Sequence, residues 1–191
     1  MPDDGRGFRG YFSDFGGRVY LDCAAQGPFP RETAEEVRRA LRLKEHPEEI
    51  SETLFQEFPD RARAAIARLL GCNPANIALG SGASHGINIA ARGLPLKNGD
   101  EVLIPQGEFP ANLFPWVGLR EEGIGVRIAA PSKPGRVVTA QDMIDAIGPR
   151  TRAVSVSLVA FASGYRVDLQ AIGDACRARD LFGIDLRVNG A

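Results

Sequence analysis

From residue 77 onward the chain alternates short apolar runs with stretches of helical period, and this alternation restricts the fold more than any other feature. The apolar runs at 77–79, 101–104, 126–129, 153–159 and 181–184 are strand-length. Between them, 84–92, 111–122, 139–147 and 169–179 carry apolar residues at helical spacing. Thr139 followed by Asp142 has the pattern of an N-terminal helix cap. The run at 153–159 is β-branched and small on both faces, as a doubly covered parallel strand requires. Strand–helix–strand order of this kind predicts an α/β fold, a mostly parallel sheet with helices on both faces.

Ahead of this region, residues 1–18 read as an irregular arm rich in Gly, Arg, Asp and Phe, and residues 19–191 as the folded domain. A short strand is expected at 19–21 and a helix over 31–44, with Ala34, Val37 and Leu41 on one face and Pro47 ending it. Pro59 suits a first helical turn. It is expected to open a helix whose stripe is Ala62, Ala65, Ile66, Leu69 and Leu70 and which Gly71 closes.

Composition narrows the function. Lys+Arg total 23 against 24 Asp+Glu, a formal net charge of −1, so no broad positive field is available for nucleic acid or acidic lipid. No apolar run approaches the ~20 residues of a membrane helix, and the acidic start Met1-Pro2-Asp3-Asp4 is unlike a secretory signal. Cys23, Cys72 and Cys176 are odd in number and widely spaced, which suits a reducing cytoplasm better than a disulfide framework or a cysteine metal site. No metal is expected.

Gly80-Ser81-Gly82-Ala83-Ser84 falls between an expected strand and an expected helix. There the free N–H groups of a first helical turn and the helix dipole favour an anion, most naturally phosphate. A plain βα turn needs the same glycines, so the loop alone leaves both readings open. Gly80, Gly82 and Gly86 also make a G-x-G-x-x-x-G, which raises a nucleotide-binding Rossmann-like domain as a distant alternative. Against it, two helices precede the loop, and the next strand ends in Pro105-Gln106 where an acidic residue is needed.

Four segments, in order, carry a resemblance to a known family. They are Val19-Tyr20-Leu21-Asp22-Cys23-Ala24-Ala25-Gln26-Gly27-Pro28, then Ser81-Gly82-Ala83-Ser84-His85-Gly86-Ile87-Asn88. Next come Glu108-Phe109-Pro110-Ala111-Asn112 with Pro115-Trp116, and the stretch from Ser155 to Asp168. Together they resemble the class V aminotransferases, pyridoxal 5′-phosphate (PLP) enzymes that include cysteine desulfurases, kynureninases and isopenicillin-N-epimerase-like proteins. The resemblance implies the large, cofactor-binding domain of PLP fold type I. It implies aminotransferase, epimerase or lyase chemistry on a small amino acid, in a homodimer. It also implies that Gly82, Ala83 and Ser84 hold the cofactor phosphate, and that Phe109 stacks on the pyridine ring where desulfurases use histidine. Phe161 stands where desulfurases place an asparagine near the cofactor's 3-oxygen, a departure that points towards the epimerase-like branch. Ala25 and Gln26 are implied at the substrate entrance, while Glu108 and Asn112 are expected to hold the loop.

Towards the C-terminus the resemblance weakens. The family's aspartate opposite the pyridinium nitrogen has Asp185 as its only candidate, with spacing one residue short and no following glutamine. The family's Schiff-base lysine has no counterpart, because Lys44, Lys97 and Lys133 all sit in surface-like contexts. No catalytic residue is therefore assigned. The expectation is a front portion of such an enzyme, without its small domain and inactive alone. The alternative is a non-catalytic remnant or phosphate-binding module.

Overall fold

A computed structural model describes residues 7–23 and 26–186, with the side chains of 7–8 and 185–186 outside that description. Two compact units divide between Leu79 and Gly80. In the first, helix α1 spans Arg31–Glu45 and helix α2 spans Glu52–Leu70. α2 begins seven residues earlier than Pro59 suggests. Ser51 Oγ accepts from Leu54 N–H at 3.1 Å, capping the helix there, and Pro59 lies inside it. Leu54, Phe55 and Phe58 carry the apolar pattern upstream of Pro59, which costs the helix one backbone hydrogen bond. Gly71 ends α2 in the left-handed conformation at φ 67°, as expected.

The second unit contains helix α3 (Ala83–Gly93), strand β1 (Glu101–Pro105), helix α4 (Pro110–Val117) and strand β2 (Gly125–Ala129). Helix α5 (Ala140–Asp145), strand β3 (Thr151–Ser157), helix α6 (Leu169–Ala178) and strand β4 (Phe182–Leu186) follow. The four strands are all parallel, in the order β2-β1-β3-β4. The expected strands at 19–21 and 77–79 are not strands, because an extended segment becomes one only with a ladder partner, and neither has one among the described residues. The helix expected over 111–122 stops at Val117, with a separate turn of 3₁₀ helix at Arg120–Glu122.

Alternation along the strands sets the two faces. Val102 and Ile104 of β1 and Ala153 of β3 pack with Ile87, Ala91, Trp116 and Leu119 of the α3–α4 side. Leu103, Val154 and Val156 point the other way, onto Met143 of α5 and Ile172 and Cys176 of α6. Helices therefore cover both faces, and the α/β expectation holds.

The Thr139–Asp142 cap is present in full. Thr139 Oγ1 accepts from Asp142 N–H at 3.2 Å, while Asp142 Oδ2 accepts from Thr139 N–H at 2.7 Å. Bonds from the Thr139 hydroxyl and backbone, and from Ser132 N–H, hold the Asp142 carboxyl below its ordinary value of 3.8. A carboxyl depressed on folding stabilises the fold fully above its unfolded pKa and loses that contribution as pH falls through the folded one. Thr139→Ala is expected to lower stability by about 1 kcal/mol at pH 7. In urea titrations, the gap between variant and wild type should shrink below pH ~4 as Asp142 protonates. A gap constant down to pH 2 would contradict the assignment.

Candidate functional site

The strand order fixes where a ligand can sit. From β1 the chain crosses to β2 on one side and returns to β3 on the other, so the connections leaving β1 and β3 diverge. Parallel sheets open a crevice at the carboxyl ends of strands where the winding reverses in this way. The loop after β1, residues 106–109, delivers Phe109, and the loop after β3, residues 158–168, delivers Phe161. Their ring centroids are 5.0 Å apart at an interplanar angle of 63°, edge to face. The rings are 43% and 71% exposed respectively, too open for buried core residues.

Phe109 also lines a hollow of about 510 Å³ with Ser84, Asn88 and Arg92 of α3 and with Phe114 of α4. Ser84, at the head of α3, and Phe109 therefore line one space. At the head of α3, Gly82 has φ 157° and ψ 175°, a conformation essentially restricted to glycine. His85 and Gly86 N–H donate to the Gly82 carbonyl at 3.1 and 3.4 Å. The N–H groups of Ala83 and Ser84 have no acceptor among the described residues. These two donors are the ones a phosphate would take.

The loop carrying Phe109 is tied to the sheet. Glu108 Oε1 accepts from Ser157 Oγ–H at 2.7 Å and from Phe109 N–H at 2.9 Å; Oε2 accepts from Ser157 N–H at 3.0 Å. Beneath it, fully buried Asn112 Oδ1 accepts from Ser155 Oγ–H at 2.5 Å and from Trp116 Nε1–H at 3.4 Å, while Asn112 Nδ2 is left without a partner. The Glu108 bonds match the expectation that it holds the loop, whereas the Asn112 side chain ties α4 to Ser155 of β3. Their partners Ser155 and Ser157 were not singled out from sequence. The available signal was two serines, two apart, in an otherwise apolar buried strand, where polar groups need partners.

The remaining expected residues are less connected. Gln26 is exposed in the first unit, its carbonyl accepting from Tyr20 Oη–H at 2.8 Å. Ala25 lies outside the described residues. Asp185 belongs to β4, in register with Val156 and one residue before the position paired with Ser157, so its backbone reaches the same end of the sheet; its side chain lies outside the description. Lys44, Lys97 and Lys133 are all exposed, and none lines the hollow beside Phe109.

A family model for class-V aminotransferases matches residues 19–185, most of the chain. The chain belongs to that family. A probable cysteine desulfurase of Methanothermobacter thermautotrophicus is 32% identical over 142 residues, covering 68% of this chain and 35% of its relative. The cysteine desulfurase IscS of Tolumonas auensis is 32% identical over 177 residues, covering 87% and 44%. The isopenicillin N epimerase of Streptomyces clavuligerus is 30% identical over 182 residues, covering 91% and 44%. This class-V aminotransferase chain thus spans less than half the length of these curated relatives.

Among solved structures, a C-DES mutant with glycine covalently linked to its PLP cofactor superposes with a TM-score of 0.80 at 22% identity, over 100% of this chain and 51% of that one. The cysteine desulfurase CsdA of Escherichia coli gives 0.78 at 23% identity, over 93% and 47%. At such identities the likeness speaks for the fold, which is that of the fold type I large domain over the part spanned. No helix among the described residues is long and apolar enough to cross a membrane.

Proposed function

We propose that this chain seats pyridoxal 5′-phosphate and contributes the cofactor-binding part of an enzyme that transforms a small amino acid by transfer, epimerisation or lyase chemistry. The observation that carries the reading is the pair of unpaired N–H groups on Ala83 and Ser84, at the head of a helix whose Ser84 shares a hollow with Phe109. A phosphorylated flat ring fits both halves of that arrangement. Gly82 adds open space at the loop, with nothing within 4 Å of where a Cβ would stand.

In this reading Ala83 and Ser84 donate to the phosphate, Phe109 lies against the ring, and Phe161 backs Phe109 edge to face. Asp185 of β4, whose backbone pairs with Val156, is the residue this proposal assigns to holding a proton at the ring nitrogen. When bound, PLP supplies an electron sink for charge developing on the substrate carbon. Phe161 offers no hydrogen bond where a polar residue could, so its contribution is apolar contact and exclusion of water. Ala25 and Gln26 belong to the proposal as the substrate's approach. The three lysines do not line the hollow, so the chain's own residues bind and orient the cofactor without supplying the amine that would carry it covalently.

Assembly as a homodimer is part of the proposal. α1 buries none of its residues and α2 buries only Ala67, leaving Val37, Leu41, Phe55 and Leu69 exposed for a partner. A cytoplasmic setting is part of the proposal, on the odd number and wide spacing of Cys23, Cys72 and Cys176.

The test compares PLP, pyridoxal and a nicotinamide dinucleotide by equilibrium dialysis against the chain. PLP is expected to bind at least tenfold more tightly than pyridoxal, because two charge-assisted hydrogen bonds are lost with the phosphate. Borohydride treatment followed by intact mass is expected to give no adduct fixed on one lysine. Equal affinity for pyridoxal, or tighter binding of the dinucleotide, would overturn the reading.

A further inference from the structure

Phe109 and Phe161 reach the crevice on two loops, and one carboxylate joins the roots of both. Glu108 immediately precedes Phe109 and bonds to Ser157, the last residue of β3, four residues before Phe161. The second loop is itself braced as a narrow stalk. Val159 bridges Arg166, Val167 N–H donates to Leu158 O at 2.9 Å, and Ala160 N–H donates to Tyr165 O at 2.8 Å. The first loop has no such internal ladder: Gln106 N–H donates to Ala129 O of β2 at 2.8 Å, Gly107 then turns the chain at φ 79°, and beyond that turn the Glu108 carboxylate ties it to β3.

We propose that Glu108 is a positioning residue for ring recognition. By accepting from Ser157 N–H, Ser157 Oγ–H and Phe109 N–H together, it holds Phe109 packed edge to face on Phe161, centroids 5.0 Å apart, so that Phe109 is fixed where it lines the hollow and can meet a planar ring there. This role rests on the proposed PLP site and extends it from the phosphate to the ring. The geometry requires a carboxylate. All three partners are donors, and an amide in place of Glu108 turns one acceptor atom into a donor, setting N–H against N–H at Ser157 or at Phe109. The phosphate-binding end is set separately, by the Gly82 turn and the head of α3, and does not depend on these bonds.

Two ligands separate the two ends. Inorganic phosphate, titrated against the Ala83 and Ser84 amide resonances, reads the helix head alone. PLP, measured by equilibrium dialysis, reads the helix head and the Phe109 contact together. Glu108→Gln is expected to weaken PLP about tenfold while changing phosphate affinity less than twofold. Ser157→Ala removes one of the three donors and is expected to weaken PLP about threefold. The double variant should be no weaker than Glu108→Gln, because both changes break one unit.

A thermal melt and far-UV circular dichroism on each variant establish that the fold is kept, and Ser157→Ala supplies the result if Glu108→Gln fails to fold. PLP affinity unchanged in a folded variant, or phosphate affinity falling by the same factor as PLP affinity, would overturn the positioning role and leave the site reading intact. A wild-type chain that shifts neither amide with phosphate and retains no PLP would overturn the site reading itself, and the role of Glu108 with it.

Discussion

Gly82→Val should leave the sheet folded and reduce PLP retention by at least tenfold. At φ 157° and ψ 175°, a β-branched side chain incurs strain of order 1–3 kcal/mol, and the peptide relieves it by rotating. That rotation would swing the Ala83 N–H out of line with Ser84 N–H, so the two donors would no longer converge on one anion. No neighbouring atom lies within 4 Å of the added Cβ position, so the Cβ itself meets no clash and the strain starts in the backbone. Dialysis of PLP against wild type and variant measures the effect. Near-equal retention would show that the turn does not set the donors. Gly86→Ala, inside α3 with open space at its Cβ position, serves as the control and should bind normally.

The second large effect concerns the core beneath the site. Trp116 is 0% exposed and packs with Ile87, Ala91, Val102, Ile104, Leu119 and Ala153, joining α3, α4, β1 and β3. Trp116→Ala is expected to lower unfolding free energy by about 3–5 kcal/mol, through lost burial and the cavity left behind. Domains of this kind have only about 5–15 kcal/mol in total, so the variant should unfold at markedly lower urea. The chain has a single tryptophan, and unfolding must therefore be followed by circular dichroism. A loss below about 1 kcal/mol would mean that the α3–α4 face is not a consolidated core. Trp116→Phe keeps most of the volume and gives up the weak 3.4 Å bond to Asn112, so its cost should be smaller.

Most of the second unit was legible because its strands are marked twice, by apolar runs and by the helices between them. The residues from Thr151 to Ser157 need cover on both faces, and their composition says so. The Thr139–Asp142 pair announced its cap through residue type and spacing alone. Segments that depend on distant partners were not legible. Residues 77–79 have strand composition without a ladder, and composition cannot reveal whether a neighbouring strand exists. Pro59 misled for a related reason: proline marks a helix start only where no stronger cap lies upstream, and Ser51 is that cap.

The site was legible in part. Ser84 and Phe109, both named from motif order, line one hollow. The bonds from Ser157 to Glu108 could not be read, since 49 residues separate the partners and only the strand order brings them together.

The stalk made by residues 158–167 closes on itself through Leu158, Val159 and Ala160, with Val167 bonded back to Leu158 just past the end of β3. Its tip, from Phe161 to Gly164, can therefore be exchanged for other sequences while the residues at its base keep their pairing. One wall of the crevice is thus a replaceable module on a constant mount. A lineage could retune which molecules fit beside Phe109 by editing four residues, with the strands and both apolar layers left as they are.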